Sequence, residues 1–371
     1  MGETRFGQSH LSQKGKKMDK ISLNETPVRT SKNFNINNVK LENIRIPEEI
    51  SEFKNIEITG DTSKINIEQN TSNKSLVYGL NDNLTGQVNQ KANQKLKISI
   101  DSKQNKEFQI DFKFDNENQV LLDNTEIIAN EDTKSTVIIK YTSNEEIEAF
   151  HNGIIRVNAK QNSEINVILV NLINTKSNNF IAIENTLEEN SKINYYIVDF
   201  GGKNSITNYY SNILGDNSDN KLNTIYLGKE NQVFDLNYIA ELRGKKSNIE
   251  IEVQGALKDT AKKHFKGTID FKKGCKKATG NENEACMLLS DTAKSIALPM
   301  LLCSEEEVEG NHSSSAGKIG EKELFYIMSR GFELKEAMKL MVRARFNKIL
   351  EDIKNEDLRE EILGEIDKRL D

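Results

Sequence analysis

The sequence predicts a mostly β protein: a parallel β-solenoid that gives way to helices near its C-terminal end. Three observations carry this. From about residue 95 apolar and polar residues alternate with period two through one short segment after another. Asn162-Ser163, Asn190-Ser191 and Asn217-Ser218 each stand before a strand pair, echoed by Ser247-Asn248, at intervals of roughly 27 to 30 residues. After Gly320 the period changes to that of an amphipathic helix.

Residues 1–94 form an N-terminal segment rich in Asn, Lys, Glu and Ser. The first 20 residues read as disordered. LNETPVRTSKNF (23–34) reads as a capped, turn-like stretch, and VKLENIRIP (39–47) and NIEIT (55–59) as short strands.

Residues 95–320 form the β core. KLKISID (95–101), EFQIDFKF (107–114), TVIIKY (136–141), GIIRVNA (153–159), INVILVNLI (165–173), FIAIEN (180–185) and INYYIVDF (193–200) open the series. ITNYYSNIL (206–214), LNTIYLG (222–228), FDLNYIAEL (234–242), NIEIEVQGAL (248–257) and FKGTIDF (265–271) continue it. Coils of this length would stack strand on strand along one axis. An antiparallel sandwich also spaces strands regularly and stays open as an alternative. Pro is rare, at 3 residues, which suits ladder-rich structure because Pro removes a ladder donor.

Residues 321–371 form a C-terminal helical domain. Leu324, Ile327 and Met328 share one face of a helix from Glu321 to Arg330, closed by Gly331. Leu334, Ala337, Met338, Met341, Ile349, Leu350 and Ile353 continue at helical spacing. Asn355 then caps a last helix lined by Leu358, Ile362, Leu363, Ile366 and Leu370. The apolar faces are expected either to cover the end of the β array or to meet a partner.

Composition excludes several classes. A net charge of −6 does not suit non-specific nucleic-acid binding. No apolar run approaches the roughly 18 residues of a membrane span. The stretch MGETRFGQSHLSQKGKK lacks the apolar core of a signal peptide, and the three cysteines form no disulfide framework, so a cytoplasmic location is expected. GxxxxGK[ST], GxGxxG and GxSxG patterns are all absent, so neither a bound nucleotide nor enzymatic activity is expected.

His312 is one of only 4 histidines and precedes the small residues Ser313 to Gly317. It could be a metal ligand, or a structural histidine satisfied at a β-to-α corner. Glu305, Glu306, Glu307 and Glu309 read as a solvated edge. Cys275 and Cys286, in GCKKATGNENEAC, do not form the paired spacing of a zinc knuckle. Cys286 and Cys303 sit in apolar contexts that suit buried thiols. Cys275 stands amid lysines, which favours a thiolate, although a structural role fits it as well.

The segments FKGTIDFKKGCKKATGNENEACMLLSDTAKSIALPMLL (265–302) and EEEVEGNHSSSAGKIGEKELFYIMSRGF (305–332), leading into EAMKLMVRARF, resemble the core of the SufB/SufD family of iron–sulfur cluster assembly proteins. FHNGIIRVNAKQNS (150–163) and YYSNILGDNS (209–218) join the resemblance, which covers roughly residues 140 to 371, and LNETPVRTS matches more loosely. It implies a right-handed parallel β-helix followed by helices. It further implies a scaffold that pairs with a SufB-like subunit through the β-helix and engages a SufC-like ABC-type ATPase through its C-terminal helices. A transient iron–sulfur cluster would form at the subunit interface.

Carried over residue by residue, His312 matches the histidine that SufD members contribute near that interface, a candidate cluster ligand. Gly310 stands where SufD members commonly carry a cysteine. Asn212 and Ile327 stand where SufB-type members carry theirs, so the resemblance implies the SufD type. Glu356 matches a carboxylate proposed as a ligand in SufB. The alternative within the family is a divergent SufB-like chain that forms a homodimer, binds its own cluster and uses Cys275, Cys286 or Cys303 in place of the missing thiols.

Overall fold

The computed structural model describes residues 15–30, 36–69 and 75–371, with side chains from residue 20. In chain order the elements are β1 (Gly15–Leu23), β2 (Val39–Pro47), β3 (Ile56–Gly60), β4 (Ile65–Glu68), α1 (Asp82–Lys91), β5 (Gln94–Ile100), β6 (Lys106–Phe114), β7 (Val120–Ala129), β8 (Lys134–Ser143), β9 (Phe150–Ala159) and β10 (Glu164–Leu172). There follow β11 (Asn178–Leu187), β12 (Lys192–Asp199), β13 (Asn204–Ile213), β14 (Asp219–Gly228), β15 (Val233–Leu242), β16 (Asn248–Leu257), β17 (Lys262–Phe271), β18 (Thr279–Leu288), β19 (Lys294–Cys303) and β20 (Glu309–Lys318). The helices α2 (Glu321–Ser329), α3 (Leu334–Leu350) and α4 (Glu356–Leu370) close the chain.

The β core is a parallel solenoid of eight coils. Odd strands from β5 to β19 stack in sheet I and even strands from β6 to β20 in sheet II, each pairing in parallel with the strand two positions on. The antiparallel strands β3 and β4 close the first edge of each sheet. The sandwich alternative is thereby excluded, because neighbouring ladders run parallel and consecutive strands lie in opposite sheets.

The corner from sheet I to sheet II explains the repeat. Asp132, Asn162, Asn190, Asn217, Lys246 and Lys277 occupy successive corners with φ of 53° to 59°. Asn and Asp tolerate this left-handed conformation better than other non-Gly residues. The next residue, Thr133, Ser163, Ser191, Ser218 or Ser247, turns its hydroxyl back to the carbonyl three positions earlier at 2.6–2.7 Å. Asn162 donates to Asp132, Asn190 to Asn162 and Asn217 to Asn190, at 3.0, 3.0 and 3.4 Å, so the corners form a ladder of their own. At the fifth of these corners the equivalent pair is Lys246-Ser247; Asn248 already begins β16.

Strands buried on both faces read as apolar runs. In β10, Ile165, Val167 and Leu169 face the interior, while Ile168 and Val170 face outward beneath the C-terminal helices. Val342, Phe346, Ile349 and Leu350 of α3 and Leu358, Ile362, Ile366 and Leu370 of α4 join that outer cluster. The helices therefore cover the flank of sheet II and not the end of the array. Asn355 caps α4 as expected, its Oδ1 accepting from the Leu358 amide at 2.9 Å.

The hairpin of β1 and β2, with α1, covers the outer face of sheet I over Leu122, Phe150, Ile154, Phe180 and Ile206. Two expectations need correction here. Gly15–Lys20 belong to β1 and are held in register by Arg45 to Pro47 and their neighbours, whereas residues 1–14, also expected to be disordered, lie outside the described residues. Residues 82–91 are helical, nucleated by Asn81, whose side chain accepts from the Leu84 amide.

Candidate functional site

The eighth coil is the last, so its interior is open at one end. His312 lies in β20, on the inward-facing row, and not at a corner between strand and helix. That row runs Phe108, Val137, Val167, Tyr195, Leu222 and Ile251 through the first six coils of sheet II. It then changes character, to Glu282 and His312. In this row six coils carry apolar or aromatic side chains and the last two carry a carboxyl and an imidazole.

Glu282 is 2% exposed, and neither of its carboxyl oxygens has a hydrogen-bond partner among the described residues. It reaches across the interior to Gly267 of β17, where any Cβ would collide with the carboxyl. Burial, reinforced by the neighbouring Glu284, pushes its pKa up to about 8. Glu284 is by contrast fully partnered. Lys263 Nζ lies 2.6 Å from its Oε1, Ser314 Oγ donates to Oε2 at 2.7 Å, and Tyr226 Oη donates at 3.3 Å. Burial also raises the thiol of Cys286, which stands beside Tyr226 and Lys263 on the same inner wall.

Other positions singled out in the sequence fall elsewhere. Cys275 is buried at the corner between β17 and β18, and burial followed by Glu305 pushes its thiol up, so the lysine-rich sequence does not produce a thiolate. Cys303, expected to be buried, is exposed at the end of β19 and donates its thiol to the Glu305 carbonyl at 2.9 Å. At Gly310 a Cβ would meet Leu301 and Phe271 at 3.0 Å, close contacts with ends of side chains that can shift. Asn212 lies on the outward side of β13, its Oδ1 accepting from Arg243 Nε at 3.1 Å. Ile327 is half-buried in α2.

Glu356 is exposed at the first residue of α4. The preceding Asn355 donates to Glu107 Oε1 of β6 at 2.7 Å. In sheet II, β6 and β20 are seven strand steps apart. At ~4.8 Å per step this places Glu356 about 34 Å from His312. Glu282 and His312 are thus register partners on adjacent strands, whereas Glu356 lies at the other end of the solenoid. Among the described residues, no group of three or more His, Cys, Asp or Glu is arranged to hold a metal ion.

Helix α2 has no buried residue. On α2, Phe325 is 74% exposed, Tyr326 58% and Met328 40%, and Phe332 and Leu334 are exposed just beyond it in the chain. Single exposed apolar residues are ordinary, but a contiguous set on an otherwise uncovered helix marks an interaction surface.

Two buried polar networks were not visible in the sequence. His151 Nε2 lies 2.7 Å from Asp123 Oδ1 and Nδ1 lies 2.6 Å from Asn179 Oδ1, with Tyr141 donating to Asp123 at 3.1 Å. Asn179 donates on to Ser205, and Ser205 to Asp199. Outside sheet I, Asn24 donates to Asp235 Oδ1 at 2.6 Å, and Lys266 donates both to the Asn24 carbonyl at 2.9 Å and to Asp235 at 2.6 Å. Asn24 lies in the LNETP stretch and has φ of 61°. For the first network the sequence signal is polar residues at inward positions of strands, which alternation alone assigns to the core; the second lies on outward positions beneath the N-terminal segment.

A family model described as the SUF system FeS cluster assembly SufBD core domain matches residues 112–345. The match starts earlier than the resemblance traced by motif and ends within α3. A SufD protein of Bacillus subtilis is 26% identical over 48% of this chain and 41% of its own length. A SufD protein of Escherichia coli is 22% identical over 65% of this chain and 57% of its own length. A SufBD family protein of Pyrococcus horikoshii is 32% identical over 41% and 33%, respectively. The chain thus spans between a third and just over half of the length of these relatives.

Proposed function

The chain belongs to the SufB/SufD family of the SUF iron–sulfur cluster assembly system, as a SufD-type member, and from this we propose that it is a non-catalytic scaffold subunit that pairs with a SufB-like subunit and engages a SufC-like ATPase. The observation that carries the reading is the open last coil. Among the described residues no strand pairs with the outer edges of β19 and β20, and exposed strand edges are templates for another chain. The residues on that edge are small, Ser313 to Gly317, so a partner's backbone can approach closely.

The mouth offers an imidazole and carboxylates where iron–sulfur clusters are usually held by about four thiolates. A nascent cluster, as the cargo of the system, would therefore be held jointly, with His312 from this chain and thiolates from the SufB-like subunit. The exposed apolar side of α2 suits the SufC-like ATPase, which would supply the nucleotide chemistry. A second copy of this chain fits the same open edge, and a homodimer is the competing assembly.

The experiment is anaerobic reconstitution of the purified complex with His312→Ala. A complex that assembles normally but forms less cluster, read from visible absorption and bound sulfide, supports the reading. A variant that fails to fold or to assemble makes His312 a structural residue.

A further inference from the structure

A carboxyl group buried without a partner is unfavourable, and native structures rarely keep one. Glu282 is such a group: among the described residues neither of its oxygens has a hydrogen-bond partner, and the residue is 2% exposed. Its row carries Tyr195, Leu222 and Ile251 in the three coils below, so an apolar side chain fits this position. The opposite wall is cut to admit the carboxyl, since any Cβ at Gly267 would collide with it. Lys263, the buried cation of the same coil, is already committed to Glu284.

One coil lies between Glu282 and the open end. Its inward positions face solvent: His312 and Ser314 on β20 are exposed, and Leu301 on β19 is 38% exposed. Two free oxygens on one carboxylate match the guanidinium fork, which donates two parallel hydrogen bonds. The strands at this end cannot supply it. β18, β19 and β20 contain no arginine, and their two lysines, Lys294 and Lys318, stand at the first residue of β19 and the last of β20. Lys318 is moreover paired with Asp291 at 2.7 Å.

We infer that Glu282 receives an arginine side chain of the docking partner, inserted through the open end of the solenoid. That this partner is the SufB-like subunit rests on the pairing proposed above. The guanidinium gives both oxygens their missing donors, and a buried arginine of this kind is a common anchor of protein interfaces. The same carboxyl selects between partners. A second copy of this chain, docked through its own β18 to β20, brings no arginine on those strands and leaves Glu282 buried and unpaired.

Ionisation gives the contact a signature. In the free chain burial, with Glu284 beside it, pushes Glu282 up to about 8, so at pH 7 it is mostly protonated. The other titratable groups on the strands around it are Glu284 on β18, Lys263 on β17 and His312 on β20. An arginine takes only the ionised carboxylate, so pairing should tighten about tenfold between pH 7 and pH 8.5.

The test is the affinity of the full chain for the SufB-like subunit, with the SufC-like protein present, at those two pH values. The wild-type chain is expected to bind about tenfold tighter at the higher pH. Glu282→Gln should bind at least tenfold more weakly than wild type at pH 8.5 and equally at both pH values. Glu282→Ile continues the apolar row, and should keep an unchanged or higher Tm while binding as weakly as Glu282→Gln. Wild-type affinity in either variant, or a pH dependence that persists in Glu282→Gln, overturns the arginine contact and leaves the pairing standing. Failure of the wild-type chain to bind the SufB-like subunit at either pH refutes the pairing itself.

Discussion

Lys263 Nζ lies 2.6 Å from Glu284 Oε1, and both side chains are fully enclosed in the solenoid interior. Ser314 of the last coil donates to the other carboxylate oxygen, so this pair ties the seventh coil to the eighth. An ion pair so placed is poor evidence of net stabilisation, yet removing one partner leaves the other charge buried alone. Lys263→Met is therefore expected to destabilise the chain by about 3–5 kcal/mol. The double variant Lys263→Met with Glu284→Gln should lose clearly less. Urea denaturation of the three proteins checks this, and equal losses in single and double variants would show that the pair does not act as a unit.

Asp199 sets a pH dependence. It is buried, and burial raises its pKa to about 6 against the opposing hydrogen bonds from Ser205 and Asn171. A carboxyl raised in the folded state contributes most below its unfolded value near 3.8, and that contribution is lost as pH rises through about 6. Relative to Asp199→Asn, the wild-type chain should thus lose up to about 3 kcal/mol of stability between pH 4 and pH 8. Denaturation at the two pH values measures it, and parallel behaviour of the two proteins would contradict the assignment.

The corner ladder gives a local test. Asn190 holds φ at 55° and donates to Asn162. Asn190→Ala should destabilise by about 1–2 kcal/mol, since a Cβ without a compensating side chain disfavours the left-handed region. Asn190→Gly should recover part of that loss, because Gly enters the region freely. Equal urea midpoints for the Ala and Gly variants would mean that the backbone conformation is not what the corner requires.

Asn24 adds a polar fastening to the apolar contacts of the N-terminal hairpin. Asn24 is fully buried and meets Asp235, Asn208 and Lys266. Asn24→Ala leaves those groups short of partners, at about 1–3 kcal/mol. Limited proteolysis should then cut within residues 36–60 faster than in the wild-type chain, with the coils still protected. Unchanged cleavage would place the fastening elsewhere.

Much of the solenoid was legible because its physics is local. Strand alternation and the Asn-Ser corners are set by neighbours in sequence, and both identified the coils before any contact was known. The strands β18, β19 and β20 were not recognised, because their inward rows carry Glu282, Glu284, Pro299 and His312 where the earlier coils carry Ile, Val and Tyr. β7 was hidden by Asp123, Asn124 and Thr125, polar residues buried to serve His151 and Arg156. Polar residues break the pattern where the interior has another task, so the same departure that hid these strands marks the candidate site. His312 was visible as a residue type, but Glu282 was not, since its significance comes from a register partner 30 positions away. The packing of α3 and α4 on the flank of sheet II was likewise beyond periodicity, which gives an apolar face but not what covers it.

For α2 the expectation is a separation of binding from stability. Phe325 is 74% exposed and contributes little to the fold. Phe325→Glu should leave Tm within about 2 °C of the wild-type value, as surface changes usually fall within about 0.5 kcal/mol. It should nevertheless abolish retention of the SufC-like ATPase in a pull-down while the SufB-like subunit is kept. Loss of both partners, or of neither, would contradict the assignment of this helix.

As proposed above, this chain is one subunit of a mixed assembly. This is tested most directly by native mass measurement of the chain co-expressed anaerobically with SufB-like and SufC-like proteins from the same source. A complex that contains all three is expected. A chain that stays monomeric, or that forms only homodimers while ignoring the SufB-like protein, would contradict it.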